Sequence, residues 1–155
     1  MKTLVVGVGG MTNGGKSTLA MSLHQQIPNS CIIAQDSYFK VGCGGVFSVL
    51  LDALHMDEMM RDVDSWRRDP ESFLRRRGLN PERAAPSGKE VFVLIVEGFL
   101  IFNDRYRRLL NVLFDKRYFL EIPYEVCKRR RRCLFFFFFL EITKHYIFKN
   151  RLSAH

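Results

Sequence analysis

No apolar run in this 155-residue chain reaches the ~20 residues an α-helix needs to cross a bilayer, so no membrane span is expected. The lysine and apolar residues of Met1 to Met11 superficially suggest a secretion signal. They run straight into Thr12-Asn13-Gly14-Gly15-Lys16 with no cleavage-type region, and so read as a strand and loop. Paired cysteines are also missing. Cys31, Cys43, Cys127 and Cys133 are scattered, none in CxxC spacing, which argues against a zinc site and a disulfide framework. His24, His55, His145 and His155 show no ligand spacing. A reducing, cytoplasmic compartment is the expectation.

Acidic residues are in deficit, 16 against 24 Lys and Arg, for a formal charge of +8. The excess is clustered at Arg67-Arg68, Arg75 to Arg77, Arg105 to Arg108 and Lys128 to Arg132. Such a balance serves nucleic acid, an anionic membrane surface or a phosphorylated ligand. No nucleic-acid recognition motif accompanies it, so a nucleic-acid partner is not expected. With 47% hydrophobic and 26% charged residues, the chain has the composition of one globular domain. Oligomeric state has no signature in it.

Strands and helices alternate along the chain. Thr3 to Gly9 is a short apolar run ending in glycines, a buried strand entering a tight loop. Lys16 to Gln26 reads as a helix with Leu19, Met21 and Leu23 as its apolar residues, and Cys31 to Ala34 as a second strand stopped by Gln35-Asp36. Leu50 to Arg68 reads as one or two helices, its Leu and Met in rough helical spacing and best read as core, and Glu71 to Arg77 extends the helical character to Gly78. Asn80 to Lys89 is a loop, Val91 to Val96 the most strongly buried strand, Arg117 to Ile122 another strand, and Pro123 opens a basic helix through Arg132. This order predicts an α/β fold with a parallel sheet flanked by helices, its ligand beyond the carboxyl ends of the strands.

Three features carry chemistry. Gly10-Met11-Thr12-Asn13-Gly14-Gly15-Lys16-Ser17 fits GxxxxGK[ST] in full, between a strand and a helix. Its glycines let backbone N–H groups curl around phosphate oxygens, Lys16 adds charge near the β and γ phosphates, and the Ser17 hydroxyl suits magnesium. The helix start adds its dipole. Outside such a context the pattern is an ordinary glycine-rich turn. Asp36 closes a strand, where a carboxylate can touch magnesium or take a proton from an attacking hydroxyl; its bland role is capping a turn. Glu97, ending VFVLIVE, is placed like a Walker-B acid, the alternative being a solvent-facing strand end. Phe39 suits stacking on a substrate ring or burial in the core. The arginines of Lys128 to Arg132 fit the lid of a small phosphoryl-transfer enzyme, or a solvated basic face. The whole is a P-loop NTPase pattern using ATP and magnesium.

Taken together, MKTLVVGVGGMTNGGKSTLA, IIAQDSYFK, LDALHMDEMM, VLIVEGFLIFN and RYFLEIPYEVCKRRR resemble the nicotinamide riboside kinases, block by block and in the same order over most of residues 1 to 131. The resemblance implies ATP- and magnesium-dependent phosphorylation of the 5′-hydroxyl of nicotinamide riboside, giving nicotinamide mononucleotide for NAD synthesis. It places Gly10 to Thr18 on ATP, Ser17 and Asp36 on magnesium, Asp36 as the base, and Ser37, Tyr38 and Phe39 along a riboside. It puts Arg130 toward ATP and Arg131 toward the riboside.

Two stretches depart from the family pattern. Val41 to Val49 is shorter than its family counterpart, with Ser48 and Val49 where the family has the Tyr and Asp that grip the ribose and base. From Arg132 the chain reads Cys133, Leu134, five phenylalanines and an unrelated tail. Residues 1–131 are thus expected to form a truncated kinase domain, incomplete at the C-terminus, and 132–155 a replaced, Phe-rich tail. Leu134 to Leu140, apolar and free of charge and proline, has an aggregation-prone composition. Weak or absent turnover follows as an expectation. The alternative is a non-catalytic ATP binder acting through interactions; a nucleic-acid or membrane module would instead bind in a salt-sensitive, ATP-independent way.

Overall fold

The structure is a computed structural model and describes residues 1–40, 54–81, 90–102 and 113–129. Four strands form one sheet: β1 (Lys2–Gly10), β2 (Ser30–Ala34), β3 (Val91–Gly98) and β4 (Lys116–Leu120). Their spatial order is β2-β3-β1-β4, and every pairing is parallel. The helices are α1 (Lys16–Gln26), α2 (Met56–Arg68), α3 (Pro70–Arg76) and α4 (Tyr124–Arg129), and a 3-10 turn spans Gln35–Tyr38. This is the parallel, helix-flanked sheet expected from the alternation.

Side chains alternate across a strand, so the apolar run of β3 fills two cores. Phe92, Leu94 and Val96 face one way, joining Val5, Cys31 and Ile33 under Met59, Val63 and Trp66 of α2 and Phe73 and Leu74 of α3. Val93 and Ile95 face the other way, with Val8 and Ala20 and, around them, Leu19, Leu23 and Ile27 from α1 and its end. Of the apolar residues expected along α1, Met21 points outward and is 50% exposed.

Local chemistry sets the helix ends. Asp69 caps α3 by accepting the Ser72 N–H at 3.0 Å, and Pro70 sits at the first helical position, where a missing N–H costs nothing. The end of α3 is closed by Gly78 and Leu79 N–H groups donating to the Arg75 and Leu74 carbonyls. Asp57 and Glu58 lie in the first turn of α2 and Arg67 and Arg68 in its last, each complementing the helix dipole.

Two boundaries differ from the sequence reading. The helix expected from Leu50 begins at Met56. Leu54 instead makes an antiparallel bridge with Phe39, and the His55 N–H donates to the Tyr38 carbonyl, which holds the chain extended there. Residues 50–53 lie outside the described residues. The strand expected to reach Ile122 stops at Leu120, because its partner β1 ends at Gly10 and turns away, leaving Glu121 and Ile122 no ladder to join. The described part of the basic helix ends at Arg129.

Leu94 is fully buried on the central strand. Leu94→Ala is expected to cost roughly 2–5 kcal/mol of folding stability, read from the midpoint and slope of urea unfolding.

Candidate active site

The parallel pairing of β1 with β3 brings Val8 beside Glu97 and Gly9 beside Gly98. The glycine loop therefore leaves β1 at the level where β3 presents its acid. The loop is held tightly. A Cβ on Gly10, whose φ is 144°, would come within 2.7 Å of the Leu120 carbonyl oxygen, so only glycine fits where β1 turns beside β4. Gly15 sits at φ 94° and starts α1 from a left-handed conformation. Between them the Gly14 N–H donates to the Met11 carbonyl at 3.0 Å. Met11 itself is buried with Cys127 of α4, and Ile122 and Tyr124 pack around the pair.

Lys16 is only 6% exposed, and its ammonium donates to the Met11 carbonyl at 3.1 Å. Burial pulls its pKa down, while the Glu97 and then the Asp36 carboxylate push it back up. The Ser17 hydroxyl donates to Glu97 Oε1 at 2.9 Å, and Thr18 is exposed on the first turn of α1. Thr12 and Asn13 are half-buried, Asn13 at φ 60°.

Glu97 is 4% exposed. Burial raises its pKa, the Ser17 hydrogen bond and Lys16 oppose this, and Asp36 raises it further. Asp36 lies in the 3-10 turn after β2 and opens to solvent. The protein mass around it still raises its pKa, against the pull of Lys16. Lys16, Asp36 and Glu97 thus form one electrostatic group at the carboxyl edge of the sheet, with two carboxylates and one ammonium.

The oxygens of this group fit a divalent cation. Glu97 Oε2 is buried and has no hydrogen-bond partner among the described residues, a state that costs free energy unless something binds there. A serine hydroxyl and two carboxylates are the hard donors magnesium prefers. Among the described residues no cluster of three or more His, Cys, Asp or Glu side chains could hold a metal by itself.

The other expected site residues are spread around this centre. Ser37 is exposed beside Asp36. Phe39 is half-buried and stacks on Phe99, with centroids 6.0 Å apart and planes at 13°. The Tyr38 hydroxyl donates to Asp62 on α2, and burial together with that bond pushes its pKa up to about 12. Arg130, Arg131 and the stretch Val41 to Val49 lie outside the described residues. Arg77 and Gln35 belong to the site's support and were not singled out from sequence. Arg77 reaches Asp62 at 3.3 Å and the Ile32 carbonyl of β2 at 3.0 Å, while its guanidinium covers the Phe73 ring at 4.6 Å. Gln35 is completely buried just before Asp36. Its position between a strand end and a catalytic-type acid was the available signal.

Mouse (Mus musculus) nicotinamide riboside kinase 2 is 43% identical over 134 residues, an alignment covering 82% of this chain and 66% of that protein. Rat (Rattus norvegicus) nicotinamide riboside kinase 1 is 41% identical over 137 residues, covering 84% and 66%. This chain belongs to the nicotinamide riboside kinase family. It spans just under two thirds of the length of these two relatives. No family model matches it. A crystal structure from Silicibacter sp. TM1040, described as a fructose transport system kinase, superposes with a TM-score of 0.55 at 22% identity, covering 83% of this chain and 70% of that one. The fold is that of the P-loop kinases.

The raised pKa of Glu97 has a cost with a definite sign. Its contribution to stability is fully present below the ordinary carboxylate pKa and is lost as pH rises through the higher folded value. Glu97→Gln is therefore expected to stabilise the metal-free protein at neutral pH and to give no gain in acid. Thermal melts of both proteins across a pH series check this; a gain independent of pH would contradict it.

Proposed function

We propose that this chain binds ATP with magnesium in the loop from Gly10 to Thr18 and transfers the γ-phosphoryl group to the 5′-hydroxyl of nicotinamide riboside, giving nicotinamide mononucleotide. The observation that carries the proposal is the convergence of Lys16, Asp36 and Glu97 beside the glycine loop, in a chain about two-fifths identical to proteins named nicotinamide riboside kinase. Residues 1–131 would form the kinase domain, and 132–155 a tail outside it.

The backbone N–H groups of the loop and the first turn of α1 would cradle the phosphates, with Lys16 supplying the side-chain cation. Ser17, Asp36 and Glu97 would hold magnesium, directly or through water. Magnesium, when bound, neutralises charge on the phosphate oxygens. The substrate hydroxyl oxygen bonds to the γ-phosphorus as the bond to the β–γ bridging oxygen breaks, ADP leaves, and the hydroxyl proton passes to the Asp36 carboxylate. Ser37, Tyr38 and Phe39 would border the riboside, with Arg130 toward ATP and Arg131 toward the riboside, as in the family resemblance.

A second reading, nucleotide binding without transfer, is favoured by one feature: Ser48 and Val49 stand where the family's ribose-gripping pair would be. A substrate hydroxyl left unpaired there weakens discrimination and alignment.

Lys16→Ala should lower ATP affinity by roughly tenfold or more in calorimetry, the loss of a charge-assisted contact worth ~1.5–3 kcal/mol. Equal affinities would remove the nucleotide site. Asp36→Asn should leave ATP binding largely intact and reduce riboside-dependent ADP release by ~10²–10⁴. An Asp36→Asn protein that turns over normally would remove the base. ATP binding with no ADP release on any riboside would select the second reading.

A further inference from the structure

The backbone ladder between β2 and β3 ends at the site: its last pair is Ala34 with Glu97. Beyond that pair the two segments diverge, one into the turn that carries Asp36, the other through Gly98 and Phe99 to Leu100. The buried Gln35 side chain links them again. Its Oε1 accepts the Leu100 N–H at 2.9 Å, and its Nε2 lies 3.5 Å from the Met56 sulfur. A thioether is a weak acceptor, so the hold comes from the carbonyl end of the amide. Gly98 leaves the space this link occupies. A Cβ on residue 98 would stand 2.5 Å from Gln35 Oε1 and 2.6 Å from its Cβ, closer than either atom tolerates.

Gln35 adjoins Asp36, and Leu100 follows Glu97 by three residues. The amide therefore fixes, one residue past the end of β2 and two past the end of β3, how far the turn with Asp36 stands from the segment with Glu97. A neutral amide does this without adding a third negative charge beside two carboxylates whose pKa values burial already raises.

We propose that Gln35, with the space left by Gly98, is the positioning residue that sets the spacing of Asp36 and Glu97 and so the grip of this site on a divalent cation beside a bound nucleotide. The inference rests on the magnesium–nucleotide reading given above.

Mn²⁺ serves as the probe, its binding to the full chain with ADP followed by electron paramagnetic resonance. Two variants weaken the link by different routes. Gln35→Met keeps the volume and removes the acceptor; Gly98→Ala keeps the glutamine but crowds its side chain, together with Ile101, out of the space it occupies. Each is expected to weaken Mn²⁺ in the ADP complex by roughly tenfold, the size of a lost outer-shell contact. ADP affinity without metal should stay within roughly twofold, and the double variant should be no worse than the poorer single one, because both act on one link. Native Mn²⁺ affinity in either variant, with a native circular dichroism spectrum, overturns the proposal. Wild-type protein that binds ADP but takes up no Mn²⁺ overturns the magnesium reading and this inference with it, and is distinguishable from unchanged affinity in the variants. Hydrogen exchange on the wild type tests the link without any substitution. The Leu100 N–H is expected to be protected like the amides of β3, and exchange at an open-loop rate overturns the proposal.

Discussion

Register between two parallel strands underlies the whole site. With Val8 opposite Glu97 and Gly9 opposite Gly98, the glycine loop and the acid of β3 emerge from the sheet at the same height. A slip of one residue would turn Glu97 into a core face and send an apolar side chain toward the loop, because side chains alternate between the two faces. The slip is opposed on both sides at once. Phe92, Leu94 and Val96 fill the core under α2 and α3, and Val93 and Ile95 fill the one under α1. Burying the central strand on both faces thus fixes the height at which its terminal acid, Glu97, meets the glycine loop.

Given that register, the site stores unfavourable electrostatics. Lys16 is desolvated, two carboxylates share its charge, and one oxygen of Glu97 is left without a partner among the described residues. Lys16 and Glu97 would each alone be better off in water. Such an arrangement gains from a ligand bringing both positive and negative charge, as in the function proposed above. The Ser17 bond to Glu97 and the Lys16 bond to the Met11 carbonyl occupy the loop's polar groups meanwhile.

Rigidity around Asp36 comes from elements distant in sequence. Gln35 ties its turn to the segment after β3, and the Tyr38 hydroxyl ties it to Asp62, which Arg77 joins to the edge of β2. The backbone adds the His55 bond to the Tyr38 carbonyl and the bridge between Phe39 and Leu54. An exposed carboxylate thereby stands on a turn anchored from both ends. This suits the role proposed for Asp36, since catalytic groups work best when their supports are locked.

The sequence alone determined the order of elements, the phosphate loop and the candidate acids. Those signals are local: β-branched runs ending in glycine, GxxxxGKS at a strand–helix junction, and polar residues stopping apolar strands. It also identified the family, because its motifs recur in a fixed order. It did not reveal Gln35, Arg77 or the Asp62 partnership. A glutamine after a strand and an arginine in a basic cluster look like surface residues until packing shows what they face. Nor did periodicity show that Leu54 lies in a bridge rather than a helix, since a leucine at helical spacing fits either until Phe39 arrives beside it. Tertiary structure alone decided which carboxylate is buried with one oxygen lacking a partner among the described residues, which lysine is desolvated, and how the turn with Asp36 is held. Each of these depends on residues brought together from separate elements, and burial and electrostatic coupling exist only once those elements have packed.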